Sequence, residues 1–279
     1  MFKLLSAGFR RMWRSKLLYL GMLAMAFNTL SVLINNLYYK RLWDLPMGGE
    51  NLFFGDISII GVVIAVFVGF FVGAEHEGGA FRNKVVSGAD KWEIYLAELV
   101  VTTVASLLML TVGAGLVIAV GVPLLGGVKD FASLFLPQIL CCFLSVVSLN
   151  ALLLLAVMHI PSKTVGTVTA ILLSLVLVYL LPQTLYNKLS EPPMIDGGGY
   201  VDDFGEYHEF PDRTNSDYVT GFSRTVLQLC YDALPTGQID QYSGEKLPDN
   251  VARFPFYSLL VITAASVSGA ICFRRRDMK

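Results

Sequence analysis

The sequence predicts an all-α integral membrane protein. Six transmembrane helices, cytoplasmic N- and C-termini, an N-terminal amphipathic interfacial helix and a large extracellular loop before the last span make up one transmembrane domain over residues 1–279. Three observations lead there. Six stretches, Leu17–Leu37, Ile57–Ala74, Leu99–Val122, Leu134–Met158, Val165–Leu181 and Phe254–Phe273, contain no Asp, Glu, Lys or Arg. Each is long enough to cross a bilayer as a helix, which takes roughly 17–25 residues. Charged residues make up only 15% of the chain and hydrophobic ones 54%, whereas a soluble domain carries about 25% charged residues. The basic residues between the stretches are distributed unevenly, which sets orientation.

That distribution places both ends inside. Lys3, Arg10, Arg11, Arg14 and Lys16 precede the first stretch, Arg82, Lys84 and Lys91 join the second to the third, His159 and Lys163 join the fourth to the fifth, and Arg274, Arg275, Arg276 and Lys279 follow the sixth. The opposite short connections hold only Lys40, Arg41 and Lys129. An even number of spans returns the chain to its starting side. The first stretch is longer than a signal-peptide core and no A-x-A-like site follows it, so it reads as a span.

Residues 1–16 read as a helix lying in the headgroup layer. Phe2, Leu5, Phe9, Met12 and Trp13 recur at helical spacing, with Lys3, Arg10, Arg11 and Arg14 on the other side. In the second and third stretches Gly61, Gly69, Gly73, Gly113 and Gly115 cluster, and Gly69-x-x-x-Gly73 permits close helix approach, in a packed bundle or at a dimer face. The connection 75–93 is too patterned for a plain loop. Gly78-Gly79 breaks the second span, residues 80–87 fit two helical turns with Phe81 and Val85 on one face, and Gly88 can close them in the left-handed region. Asp90 and Glu93 then stand as a capping box for the third span, with Trp92 and Tyr95 at the level of an aromatic belt. An ordinary inside loop is the alternative.

The segment 183–253 forms the large outer loop and is acidic, with 12 Asp and Glu against five Lys and Arg. Its first part, 191–216, holds Pro192-Pro193 and Gly197-Gly198-Gly199 and is expected to be irregular. Its second part, 218–234, repeats Val219, Phe222, Val226, Leu229 and Ala233 at helical spacing and stops at Leu234-Pro235-Thr236-Gly237-Gln238, as an amphipathic helix returning to the membrane surface would.

Several function classes are disfavoured. The six stretches hold no ionisable group, which argues against a proton- or ion-coupled carrier. Their polar residues, Asn28, Asn35, Gln138 and Asn150 among them, suit interhelical hydrogen bonds. There is no H-E-x-x-H, G-x-S-x-G or P-loop, so the chain is expected to be non-catalytic. Cys141, Cys142, Cys230 and Cys272 suggest neither a disulfide nor a metal site. A formal net charge of −1 gives no field for nucleic acid.

Residues 70–88 (FFVGAEHEGGAFRNKVVSG) resemble the second-span exit of ABC-2 type transporter permeases, with Ala80 where that family usually has Thr. Residues 90–95 (DKWEIY) resemble the family's re-entry into the third span, and Pro235-Thr236-Gly237-Gln238 its P-[ST]-G-Q element before the last span. The resemblance implies a transmembrane subunit of a type V-like bacterial ABC exporter in the plasma (inner) membrane. It would pair with a second permease subunit, identical or different, and with an ABC ATPase subunit that holds ATP and Mg, this chain carrying no cofactor. Residues 80–87 would be the coupling helix, with Glu75, Glu77, Ala80, Phe81, Arg82, Asn83, Lys84 and Val85 facing the ATPase, and the N-terminal helix would be the connecting helix. Phe67, Phe70 and Phe71 are candidates for a cargo pathway, the cargo being a hydrophobic or amphipathic peptide, drug or lipid. The alternative function is a non-transporting membrane scaffold or signalling subunit that binds a partner through its acidic outer loop.

Overall fold

The computed structural model describes residues 1–43, 48–127, 135–202, 205–243 and 250–275. Leu134, Lys129, Arg276 and Lys279, used in the readings above, lie outside these, as do Asp203, Glu245, Lys246 and Asp249 of the outer loop. Within them the chain is a helical bundle with six helices long and apolar enough to cross a membrane: Lys16–Trp43, Leu52–Glu77, Lys91–Leu125, Leu136–Met158, Lys163–Ser190 and Val251–Arg275. It is a multi-pass membrane protein.

Helix α1 (Phe2–Arg14) ends where Ser15 turns extended, φ −77° and ψ 120°, and α2 (Lys16–Trp43) starts at once in a new direction. Helices α3 (Gly49–Ile57) and α4 (Ile60–Glu77) form the second span around a turn at Ser58-Ile59. The short α5 (Ala80–Val86) precedes α6 (Lys91–Leu116), which runs through a π turn at Val117–Gly121 into α7 (Val122–Leu125). Helix α8 (Leu136–Met158) is the fourth span. Helix α9 (Lys163–Leu175) passes through a second π turn, Val176–Leu180, into α10 (Leu181–Ser190). Both π turns lead directly into a first-turn proline, Pro123 and Pro182. A proline has no N–H and its ring crowds the carbonyl four residues back. The wider turn makes room for that carbonyl, so the spans continue past the proline.

Helices α4 and α8 form the buried centre, with Ile64, Phe67, Val68 and Val72 of α4 and Val146, Leu149, Leu153 and Val157 of α8 all nearly inaccessible. The peripheral helices turn apolar stripes outward: Leu20, Leu23, Phe27, Leu30 and Ile34 on α2, and Phe256, Leu260, Val267 and Ile271 on α13 (Phe254–Arg275). In water such stripes would be an aggregation hazard; against lipid tails they cost nothing. Polar groups bind the interior together instead. Asn150 donates to Thr103 at 3.0 Å and to Thr102 at 3.2 Å, and Ser106 donates back to it at 3.2 Å, clasping α6 to α8.

The Gly69-x-x-x-Gly73 face is answered within the chain. A Cβ at Gly69 would stand 2.6 Å from Cα of Thr167, and one at Gly73 2.9 Å from Cα of Lys163, both on α9. The small residues let α4 and α9 approach to backbone contact. Gly69→Ala is expected to cost about 1–3 kcal/mol, because a backbone atom cannot move aside. Gly115, with nothing within 4 Å of its would-be Cβ, is the control: Gly115→Ala should be neutral or slightly stabilising by helix propensity. Thermal melting of the two variants in detergent checks this.

The loop after α10 corrects the expectation of irregularity. Strand β1 (Met194–Ile195) pairs antiparallel with β4 (Arg213–Thr214), and β2 (Gly199–Val201) with β3 (Tyr207–Glu209), so the two ladders nest into one long hairpin. The glycines serve it: Gly198 has φ +66°, and Gly197 lies so close to Phe210 that an added Cβ would sit 2.4 Å from its carbonyl oxygen.

The helix expected at 218–234 forms as α11 (Gly221–Ala233). The following Pro-Thr-Gly-Gln does not simply stop it. Leu234, at ψ 123°, turns the chain, and Pro235 opens a second helix, α12 (Pro235–Tyr242), whose Pro235, Thr236, Gly237, Gln238 and Tyr242 are all buried. Gly237 is required there, since a Cβ would lie 2.4 Å from the carbonyl oxygen of Tyr231.

Candidate functional site

The site is assembled where α1, α4, α5 and α6 meet. Gly79, at φ +64°, lets the chain leave α4 and start α5. At the other end of α5, Gly88 has φ +90°; its N–H donates to the Val85 carbonyl at 3.0 Å, and that of Ala89 to the Lys84 carbonyl at 3.1 Å. That pair of bonds is the Schellman closure expected of a left-handed glycine after a helix. Asp90 then takes the N-cap position of α6 but makes no side-chain capping bond. Glu93, its expected capping-box partner, instead accepts from the Met1 ammonium at 3.0 Å.

Inside this frame four charged side chains close a ring. Glu75 in the last turn of α4 and Glu98 in α6 alternate with Arg11 of α1 and Lys84 of α5. Arg11 Nη2 reaches Glu98 Oε2 at 2.7 Å and Lys84 Nζ reaches Glu98 Oε1 at 3.0 Å. Both cations also contact Glu75. Glu98 is only 2% exposed, so it depends on these partners. Two cations against two carboxylates leave the ring electrically neutral. Burial pushes the Lys84 ammonium below the usual lysine value, while the Glu98 carboxylate pulls it back up. The Arg11 guanidinium also lies over the Phe71 ring, 3.8 Å from its centroid.

Helix α5 is held by the same region. Phe81 is 2% exposed and packs edge-on against His76 at 4.6 Å and against Phe273 of α13 at 5.8 Å. Val85 packs against the same core. The opposite face carries exposed Arg82, Asn83 and Val86, Val86 at 79% exposure. The residues expected to face outward therefore divide. Glu75, Phe81 and Lys84 are turned into the bundle, Ala80 and Val85 are half-buried, and Glu77, Arg82 and Asn83 are exposed. Of the aromatic trio, Phe67 and Phe71 stack on one another at 5.0 Å inside the core, and Phe70 is partly exposed beneath Lys163, whose Nζ is 5.4 Å from its ring centroid.

Arg11 and Glu98 escaped the sequence reading. Helix α1 has three faces: Gly8 and Met12, with Leu4, turn inward, Phe2 and Trp13 turn outward, and Arg10 and Arg14 form a basic flank. Gly8 is the signal for the inward face, since a Cβ there would stand 2.8 Å from Val101 of α6. The expectation that the spans contain no ionisable group also needs correction. Asp56, Glu75 and Glu98 are buried, at 1%, 9% and 2% exposure, within the second and third spans. Each lies next to the end of an uncharged stretch. Asp56 is held by Asn28 of α2, whose amide donates to its carboxylate at 2.9 Å and to its backbone carbonyl at 3.2 Å.

A second buried polar centre lies at α12. Gln238, 1% exposed, donates to the carbonyls of Asp232 at 2.8 Å and Phe254 at 3.3 Å, and accepts from Ser145 at 2.9 Å and Ser258 at 2.7 Å. All four of its hydrogen-bonding positions are used. Asp232, 4% exposed, accepts from Gln228, Gln241 and Asn250. Among the described residues no group of His, Cys, Asp and Glu is arranged to hold a metal ion.

No family model matches this sequence, and no curated protein is significantly similar to it.

Proposed function

We propose that this chain is the permease subunit of an ATP-driven exporter of the ABC-2 type. In this reading it sits in a bacterial inner membrane with both termini in the cytoplasm and moves a hydrophobic or amphipathic cargo outward. ATP and Mg belong to a separate ATPase subunit, and a second permease completes the pathway. The observation that carries the proposal is α5, a short helix locked on one face and open on the other. Phe81 anchors it, two glycines free its ends, and the Arg11–Glu75–Lys84–Glu98 ring ties it to α1, α4 and α6. A force applied to the exposed Arg82–Val86 face would reach the second and third spans without being lost in a loose loop. The motif resemblance of residues 70–95 and 235–238 points the same way.

The proposed role assigns different tasks to the two faces of α5. Arg82→Glu with Val86→Asp is expected to lower ATPase co-purification at least about tenfold, a loss of ~1.4 kcal/mol, with melting temperature unchanged. Phe81→Asp should lower the melting temperature itself. Unchanged co-purification and substrate-stimulated ATP hydrolysis in the double variant would refute the coupling role. That result would favour the scaffold reading, which finds support in the exposed Tyr200, Tyr207 and Phe210 of the acidic hairpin.

A further inference from the structure

We infer that the groove between α1 and α4 binds one anionic phospholipid, with its headgroup on Arg10 and Arg14 and an acyl chain along Leu17, Phe70 and Ala74. The groove is a cavity of about 560 Å³ lined by these residues together with Arg11 and Phe71. Its charges are not all equivalent. Arg11 is neutralised by Glu75 and Glu98. Arg10 and Arg14, both exposed, have no ion-pair partner among the described residues. Two uncompensated guanidiniums side by side on one flank of a helix suit a phosphate, which a guanidinium binds through paired N–H donors.

The height of the groove supports a lipid rather than a soluble anion. Ala74 is the last residue of one uncharged stretch and Leu17 the first of another. The groove's arginines all come from α1, whereas α2 and α4 line it with apolar side chains only, Leu17, Phe70, Phe71 and Ala74. The boundary between headgroup and acyl chain has the same sequence of chemistry. Phe70, 36% exposed, offers an aromatic wall, and Lys163 Nζ lies 5.4 Å from its ring centroid. Basic pockets between membrane helices are a recognised site for acidic headgroups.

The test uses the whole chain in nanodiscs of equal phosphatidylglycerol and phosphatidylcholine, extracted into mild detergent, with the retained lipid identified by native mass spectrometry. Wild-type protein should keep phosphatidylglycerol in preference. Arg10→Gln with Arg14→Gln should reduce that preference about tenfold or more, given the usual attraction per basic residue. Ala74→Trp keeps every charge but fills the groove, and should abolish retention equally. Both sites are exposed, so elution as a monodisperse peak is expected of all variants. Equal retention of the two lipids by wild type overturns the proposal, as does persistence of the preference in the double variant. Loss in the arginine variant alone would mean diffuse attraction of a basic helix to an acidic surface. Loss in Ala74→Trp alone would mean an acyl crevice without headgroup selection. Either result overturns the site as described.

Discussion

Glu98→Ala is expected to destabilise the bundle by about 3–5 kcal/mol, the usual cost of removing one partner from a buried charge network. Glu98 accepts from both Arg11 and Lys84 and is almost inaccessible. Its loss leaves two cations sharing Glu75, with a net positive charge in a partly desolvated site. The size of the effect comes from that stranded charge rather than from the strength of the original pairs. A second change should therefore recover part of it: Glu98→Ala with Lys84→Met restores neutrality, one cation against one carboxylate, and should melt above Glu98→Ala alone. Glu93→Ala is the control. Glu93 lies in the same helix but pairs at the surface, with its side chain 41% exposed, and such pairs contribute ~0–1 kcal/mol. Thermal denaturation followed by fluorescence-detected size exclusion compares the variants. If Glu98→Ala melts with Glu93→Ala, the ring holds nothing together.

Gln238→Leu is the second large expected effect, about 3 kcal/mol. The leucine fills a similar volume but makes none of the four bonds. Ser145 can turn its single hydroxyl proton to the Cys141 carbonyl, 3.1 Å away. The carbonyls of Asp232 and Phe254 lose their Gln238 donor, and each buried group left unsatisfied costs about 1–3 kcal/mol. The consequence should be local as well as global. Helix α12 rests on α8 partly through these bonds and through Gln138, which donates to the Tyr242 carbonyl at 3.0 Å. With Cys142 as the sole cysteine, buried at 0% exposure in wild type, maleimide labelling reports whether α12 lifts. Faster labelling in Gln238→Leu is the expected result. Equal protection would mean that the helix is seated without the Gln238 bonds.

The uncharged stretches located every span, because lipid permits no other long helix composition. They mislocated the ends, because charge resumes before burial stops. Asp56, Glu75 and Glu98 lie one residue beyond those stretches, and in the sequence they look like the first solvated residues. They stay inside the bundle because Asn28, Arg11 and Lys84 come to them from other elements. The helical turns at 80–87, their closure by Gly88 and the amphipathic helix of 218–234 were equally legible, since each depends on contacts within a few residues. The hairpin of 191–216 was not, since its ladders pair residues up to 20 positions apart (Met194 with Thr214) under a composition that reads as loop.

The sequence alone therefore determined that this is a helical multi-pass membrane protein with six helices apolar enough to cross and a short glycine-bounded helix between the second and third of them. Those features follow from local composition and local backbone freedom. Only the tertiary structure decided which face of that helix is anchor and which is free, that the Gly69–Gly73 stripe serves α9 of the same chain, and that Gln238 seats a buried helix. Each of those depends on which side chain arrives from a distant segment. Coulomb and hydrogen-bond partners are fixed by proximity in space, which periodicity along the chain does not encode.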